Sequence, residues 1–216
     1  MLRLYSYYRS STSYRVRIAL NLKNLEYDIS PINLLKNEHE SESFLKINSQ
    51  GRLPALEIDG EIYNQSMFIL EELERLFPSP SIYPKEKDNL KKCNELAYLL
   101  ATDLHALNNL STLNYLQENL QTSDKQKTLW IQHWVRKIFT IIEAQIKNIT
   151  FSDFPFKMPG IFEIMLIPQV YNAIRFQVDM KAFPNIKKIY TAANLLIAFQ
   201  NAAPENQLDF PKENNH

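Results

Sequence analysis

The apolar spacing of this chain changes character once, and that single change limits the folds open to it. Over the first 80 or so residues short alternating segments are interleaved with helical ones. LRLYSY (2–7) reads as a strand, while Val16, Ala19, Leu20 and Lys23 follow helical spacing and mark an amphipathic helix. LEYDISPI (25–32) reads as a second strand and ESESFLKI (40–47) as a short helix. In RLPALEIDGEIYNQS (52–66) Leu56 and Ile58 alternate with polar neighbours, Asp59-Gly60 is a favoured hairpin dipeptide, and Ile62 resumes the pattern on the return strand. Ser66 is placed to cap the next helix, whose apolar face is expected along Phe68 to Leu76. From about residue 90 onward the spacing is helical almost throughout, in stretches covering 91–116, 125–146, 161–178 and 186–199. PSPSIYPKEKD (78–88), with its prolines, serines and charges, suits a connector between the two regimes. The pattern predicts a βαβ-ββα domain over residues 1–80 and an all-helical domain over 88–212.

Composition removes several classes of function. Only Gly51, Gly60 and Gly160 occur, so neither a phosphate-cradling P-loop nor a dinucleotide G-x-G-x-x-G is present. His39, His105, His133 and His216 stand far apart, and Cys93 is the sole cysteine, which leaves no metal-ligand spacing and no intramolecular disulfide. The 24 basic residues balance 24 acidic ones and are scattered, so no footprint for nucleic acid or an anionic membrane is expected. No stretch approaches the roughly 20 apolar residues that span a bilayer, and MLRLYSYY lacks the apolar run of a signal peptide, so the expected setting is cytoplasmic. The partners left are a small molecule and a second copy of the chain. No G-x-S-x-G elbow accompanies the serines, which argues against a hydrolase.

The chemistry-bearing residues cluster where the first strand meets the first helix. Ser10, Ser11 and Thr12 crowd one helix start, where a single hydroxyl would cap the chain. A helix N-terminus carries unsatisfied N–H groups and a positive dipole end, so a spare hydroxyl there can also donate to an anion and lower the pKa of a thiol. Arg175 sits among Ala173, Ile174 and Phe176 in VYNAIRFQV, either snorkelling to the surface or partnering an anion. Trp130, Trp134, Ile138 and Ile141 recur at helical spacing and are read as core.

SSTSYRVRIAL (10–20) resembles the S-S-C-x-x-R-V-R-I-A-L motif of zeta-class glutathione transferases. INSQGRLPALEIDG (47–60) is similar to that family's N-P-x-G-x-V-P-x-L segment, and Gln65-Ser66 to its glutathione-binding pair. DLHALNNLSTLNYL (103–116), LIPQVYNAIRFQVD (166–179) and AFQNAAPENQLDF (198–210) follow further family blocks in order, so the resemblance spans nearly the whole chain.

The resemblance implies a glutathione transferase fold: an α/β thioredoxin-like N-terminal domain that binds glutathione, an all-α C-terminal domain, and a homodimer. It implies glutathione-dependent cis–trans isomerisation of maleylacetoacetate to fumarylacetoacetate in tyrosine breakdown. Other glutathione transferase chemistry, for instance on α-haloacids, and a non-catalytic protein-binding module are the alternatives. Carried over by position, Ser10 takes the catalytic serine role beside the glutathione sulfur, with Ser11 and Thr12 completing the turn and Arg15 among the cofactor-binding residues. Leu53, before a cis Pro54, pairs with the cysteinyl part; Gln65 and Ser66 hold the γ-glutamyl end; His39 falls near the glycyl end. Asn108 matches a polar cleft residue, and Arg175 the arginine that binds a substrate carboxylate.

Three positions depart from the family pattern. Thr12 stands for the motif cysteine, Ser49 for a proline, and FPFKMPGIFEI (154–164) puts Gly160 at the helix cap and Glu163 where an aspartate is usual. Glu163 is expected to reach back to the first N–H of that helix.

Overall fold

A computed structural model describes residues 1–211; His216, and Lys212 at the end of the expected second domain, lie outside the described residues. The chain divides into two compact units, one made of Met1–Ile82 with the chain from Leu195 onward, the other of Tyr83–Asn194.

The first unit is built on a four-stranded mixed sheet in the order β2-β1-β3-β4. β1 (Leu2–Ser6) pairs in parallel with β2 (Asp28–Pro31) and antiparallel with β3 (Ala55–Ile58), which pairs antiparallel with β4 (Glu61–Asn64). Leu2, Leu4 and Ser6 point inward and alternate with Arg3 and Tyr5, the period of two that the sequence shows. Asp59 and Gly60 both adopt positive φ, 50° and 91°, the backbone a two-residue hairpin turn requires.

α1 (Ser11–Leu22) is buried without interruption from Ser13 to Leu20, so it lacks the exposed polar face of the amphipathic helix expected there. The reason is that it packs against both α3 (Ser66–Leu76) and α10 (Ile197–Ala202). Its two buried arginines need internal acceptors, and Arg17 donates to the carbonyls of Ala202, Tyr8 and Tyr7 and to Ser6 Oγ. Lys23, expected on the apolar face, is buried as an ammonium that binds Glu74 and the Phe77 and Pro80 carbonyls. α2 (Glu42–Leu45) is the short helix expected after β2. In α3 the buried face is Ile69, Leu70 and Leu73, while Phe68 and Leu76, the ends of the expected face, are exposed, because the stripe packed against α1 and β4 is narrower than the apolar run.

The expected second domain, 88–212, therefore ends early. Residues beyond Asn194 belong to the first unit, since α10 covers α1 and Asp209 accepts the Tyr8 N–H at 2.9 Å. The stretch read as one helix over 186–199 is two, α9 (Pro184–Ala193) and α10, broken at 194–196 where the chain leaves one unit for the other.

The regular elements of the second unit are all helices. α4 (Lys87–Tyr98) runs into a π-helical stretch, Leu99–His105, a single turn α5 (Ala106–Asn108), and α6 (Leu110–Glu118) after a break at Asn109. α7 (Asp124–Ile146) starts with Ser123 and Gln126 capping each other, and buries Ile131, Val135, Ile138, Phe139, Ile142 and Ile146. Of the residues read as its core, Ile138 is buried, Trp130 and Trp134 only in part, and Ile141 is exposed. The indoles pack edge to face at the margin, and Trp130 Nε1 donates to the Leu107 carbonyl.

α8 (Ile161–Arg175) begins as expected, with Glu163 Oε2 accepting the Gly160 N–H at 2.9 Å. Burial pushes the Glu163 carboxyl up to about 8, and pushes the Cys93 thiol up to about 12, Glu163 adding to the latter. The folded protein thus keeps a proton on Glu163 that the unfolded chain releases above its ordinary value of 4.5. Stability from this group falls as pH rises through the window from about 4.5 to about 8. Glu163→Gln, which still offers Gly160 an acceptor, is expected to flatten that slope; denaturant midpoints on either side of the window measure it.

Candidate active site

The first turn of α1 holds the expected cluster together. Ser10 is the N-cap, extended at φ −66° and ψ 117°, and its Oγ accepts the Ser13 N–H at 3.2 Å. Ser10 Oγ lies 3.0 Å from Thr12 Oγ1, which donates to the Leu53 carbonyl at 3.0 Å. Ser11 is the first helical residue beside them. The Leu53-Pro54 bond is cis, as the resemblance implied. The start of α1 and the turn that carries Leu53 and Pro54 into β3 are thus joined through Thr12.

That turn is shaped by residues the sequence reading passed over. Asn48, buried, donates from Nδ2 to the Arg52 carbonyl at 2.7 Å, and its Oδ1 accepts the Gln50 N–H at 3.0 Å. Gly51 adopts φ +57°, a conformation that strains any other residue, though a Cβ there would meet the His39 carbonyl and Leu45 only at ordinary contact distance, 3.4 Å. The N-P-like pair flags this turn, but only the fold shows that Asn48 is its inner brace.

A second cluster forms at the start of α3. Gln65, not Ser66, is the N-cap; it has φ +69° and makes no side-chain cap, so Ser66 opens the helix proper. Gln65 Nε2 instead donates to Gln50 Oε1 at 2.6 Å, which ties the helix start to the turn at 48–52. Ser66 Oγ accepts from Arg15 Nη1 at 3.2 Å. Arg15 is 1% exposed, its Nε and Nη2 lack partners, and among the described residues no carboxylate pairs with it. Burial lowers its pKa to about 9, so it still carries its charge at neutral pH. Free N–H groups of an 11-residue helix with a buried cation behind its first residue make a place for an anion.

His39 lies on a 3-10 turn, Glu38–Glu40, with its Nε2 3.6 Å from Glu40 and its Nδ1 buried without a partner. Tyr7, just before the cluster, is pushed up to about 12, mainly by burial, and so stays protonated. Asn108 and Arg175 belong to the second unit. Asn108 ends the turn after the π-helical stretch with both amide atoms buried and unpaired. Arg175 ends α8, exposed, its guanidinium 4.7 Å over the Phe176 ring. Among the described residues no group of three or more His, Cys, Asp or Glu could hold a metal ion, and no helix is long and apolar enough to cross a membrane.

A mixed β2-β1-β3-β4 sheet with a cis-proline turn beside a hydroxyl-rich helix start, followed by a helical unit, is the architecture of glutathione transferases. Residues 4–81 match the family model for the glutathione S-transferase N-terminal domain. The chain is 40% identical to the maleylacetoacetate isomerase of Pseudomonas aeruginosa, over 97% of this chain and 99% of that one. Its fold is similar to the holo structure of maleyl pyruvate isomerase, a bacterial zeta-class enzyme, with a TM-score of 0.93 at 34% identity, covering 97% of this chain and all of that one. It is also similar to the maleylacetoacetate isomerase of Anaeromyxobacter dehalogenans with GSH bound in the active site, with a TM-score of 0.86 at 30% identity over 98% of each chain. The chain belongs to the zeta-class glutathione transferases, the family of the maleylacetoacetate isomerases.

Proposed function

We propose that this protein is a glutathione-dependent isomerase that converts maleylacetoacetate to fumarylacetoacetate in tyrosine breakdown. The observation that carries this reading is the line Ser13–Ser10–Thr12–Leu53, which sets a serine hydroxyl at a helix N-terminus beside a cis-proline turn. Glutathione, when bound, supplies a thiolate whose reversible addition to the conjugated cis alkene allows rotation about the resulting single bond. Ser10 holds the negative charge on the sulfur, helped by Ser11 and by the N-terminal dipole of α1. Leu53 offers its backbone N–H and C=O to the cysteinyl residue, and Pro54 fixes the turn that presents them.

Gln65 and Ser66 hold the γ-glutamyl carboxylate at the start of α3. Arg15 stands behind Ser66 as the cation that a carboxylate would neutralise, and its two unpaired nitrogens support the fit of an anionic cofactor there. His39 takes the glycyl end. Asn108 serves as a polar residue of the cleft, and Arg175 binds a substrate carboxylate by charge-assisted hydrogen bonds. The protein acts in the cytoplasm as a homodimer. Maleylpyruvate is the second candidate substrate, since a maleylpyruvate isomerase of Ralstonia sp is 34% identical over 96% of this chain.

Turnover of maleylacetoacetate, its analogue maleylacetone and maleylpyruvate, with and without glutathione, tests the reading. Activity that requires glutathione is expected. Arg175→Ala is expected to raise KM for the diacid about tenfold or more, with a smaller change in kcat. Turnover indifferent to glutathione, or none on any of the three, would refute it.

A further inference from the structure

The direction of the hydrogen bonds in the first turn of α1 follows from counting protons. The Leu53 carbonyl can only accept, so the one proton of Thr12 is committed to it. Two hydroxyl oxygens 3.0 Å apart need a proton between them, and since Thr12 has none left, that proton is Ser10's. Ser10 Oγ in turn accepts the Ser13 N–H. The line therefore runs one way, from Ser13 to Ser10 to Thr12 to Leu53. In that state Ser10 has no proton to offer an anion.

We propose that Thr12 is a positioning residue that couples the donor power of Ser10 to the Leu53 carbonyl; this rests on the glutathione reading of Ser10 given above. For Ser10 to donate to a thiolate, its O–H must turn out of the line. The two hydroxyl oxygens would then face each other with no proton between them, so Thr12 swings its own O–H from Leu53 to Ser10. The line now runs in the other direction. Ser10 accepts from both Ser13 and Thr12 while donating outward, and a hydroxyl polarised by two donors is itself a stronger donor. The Leu53 carbonyl is left free for the cysteinyl N–H of the cofactor. No covalent bond forms or breaks, and the only motion is rotation of two O–H groups. Because coupling is reciprocal, a donor that competes with Thr12 for the Leu53 carbonyl also readies Ser10. A cysteine in this place, with a weak S–H donor and a weak sulfur acceptor, would carry such a line poorly, so the device belongs to the threonine of this chain.

The test is a pH titration of the thiolate absorbance of enzyme-bound glutathione, with binding of S-methylglutathione, which has no ionisable thiol, measured in parallel. Thr12→Val and Thr12→Ala remove the hydroxyl in two ways, so a folding defect in one, read by circular dichroism, leaves the other. Both are expected to raise the bound-thiol pKa and cut the thiolate fraction about three- to tenfold. S-methylglutathione affinity should stay within about twofold. Thr12→Ser is expected to bring the titration back toward wild type. An unmoved titration in the hydroxyl-free variants, or an equal shift in Thr12→Ser, overturns the proposal; so does a loss confined to S-methylglutathione affinity, which would make Thr12 a packing residue. Ser10→Ala separates the two levels: if it too leaves the thiol pKa unmoved, the assignment of Ser10 fails, not merely that of Thr12.

Discussion

Ser10→Ala is expected to lower glutathione-dependent kcat/KM about a hundredfold, the scale seen when one preorganised donor to a developing anion is removed. The first-turn N–H groups and the helix dipole survive the substitution, so activity should fall and not vanish. The same change removes the cap that accepts the Ser13 N–H, which costs about 1 kcal/mol of stability. A loss of that size does not unfold a protein of ordinary stability at room temperature. Steady-state kinetics beside a thermal melt therefore distinguish lost chemistry from lost fold. A variant that keeps activity within a few-fold would show that the helix end alone holds the sulfur and that the serine is only a cap.

The largest effect on stability is expected at Arg17. Its guanidinium donates to the Ala202, Tyr8 and Tyr7 carbonyls at 2.9, 2.9 and 3.4 Å and to Ser6 Oγ at 3.0 Å, and lies 5.3 Å over the Tyr14 ring. Burial pulls its pKa down to about 10, which leaves it charged at neutral pH. Arg17→Met would fill much of the volume and strand the Ala202 and Tyr8 carbonyls and Ser6 Oγ, while the Tyr7 carbonyl keeps the Ser10 N–H, each buried orphan costing about 1–3 kcal/mol. Some of that is offset because no charge is buried any longer, so a net loss on the order of 4 kcal/mol is expected from urea unfolding. A loss below about 1 kcal/mol would mean that water reaches the stranded carbonyls.

These two residues mark the limits of what could be read from the chain alone. Ser10 was legible because a helix start after a strand is a local feature, and hydroxyls in excess of capping need stand out in eleven letters of sequence. The hairpin at Asp59-Gly60 and the reach of Glu163 to Gly160 were legible for the same reason, each being decided within four residues. Arg17 was not. An arginine inside an apolar pattern carries no local mark of burial, and Arg17 is enclosed in part by α10, with the Ala202 carbonyl 185 positions away as one of its acceptors. The same long-range packing hid the end of the second domain and split the expected last helix at 194–196. At α3, Ser66 has the chemistry of a cap, yet the positive φ of Gln65 moves it one place into the helix, toward Arg15. Trp130 and Trp134 fit the helical period of the core but stop at its margin, since a period gives the spacing of a stripe and not its width.

The way α10 and Asp209 close over α1 and Tyr8 has a consequence for how the protein is made. On the ribosome, the strands, α1 and most of Arg17's acceptors emerge first, but its last acceptor, the Ala202 carbonyl, and the helix α10 that packs on α1 follow only after the whole of Tyr83–Asn194 has been synthesised. Until then the nascent first unit lacks one acceptor of its buried arginine and the cover of one side of α1. The part of the chain born first is thus the last to be finished.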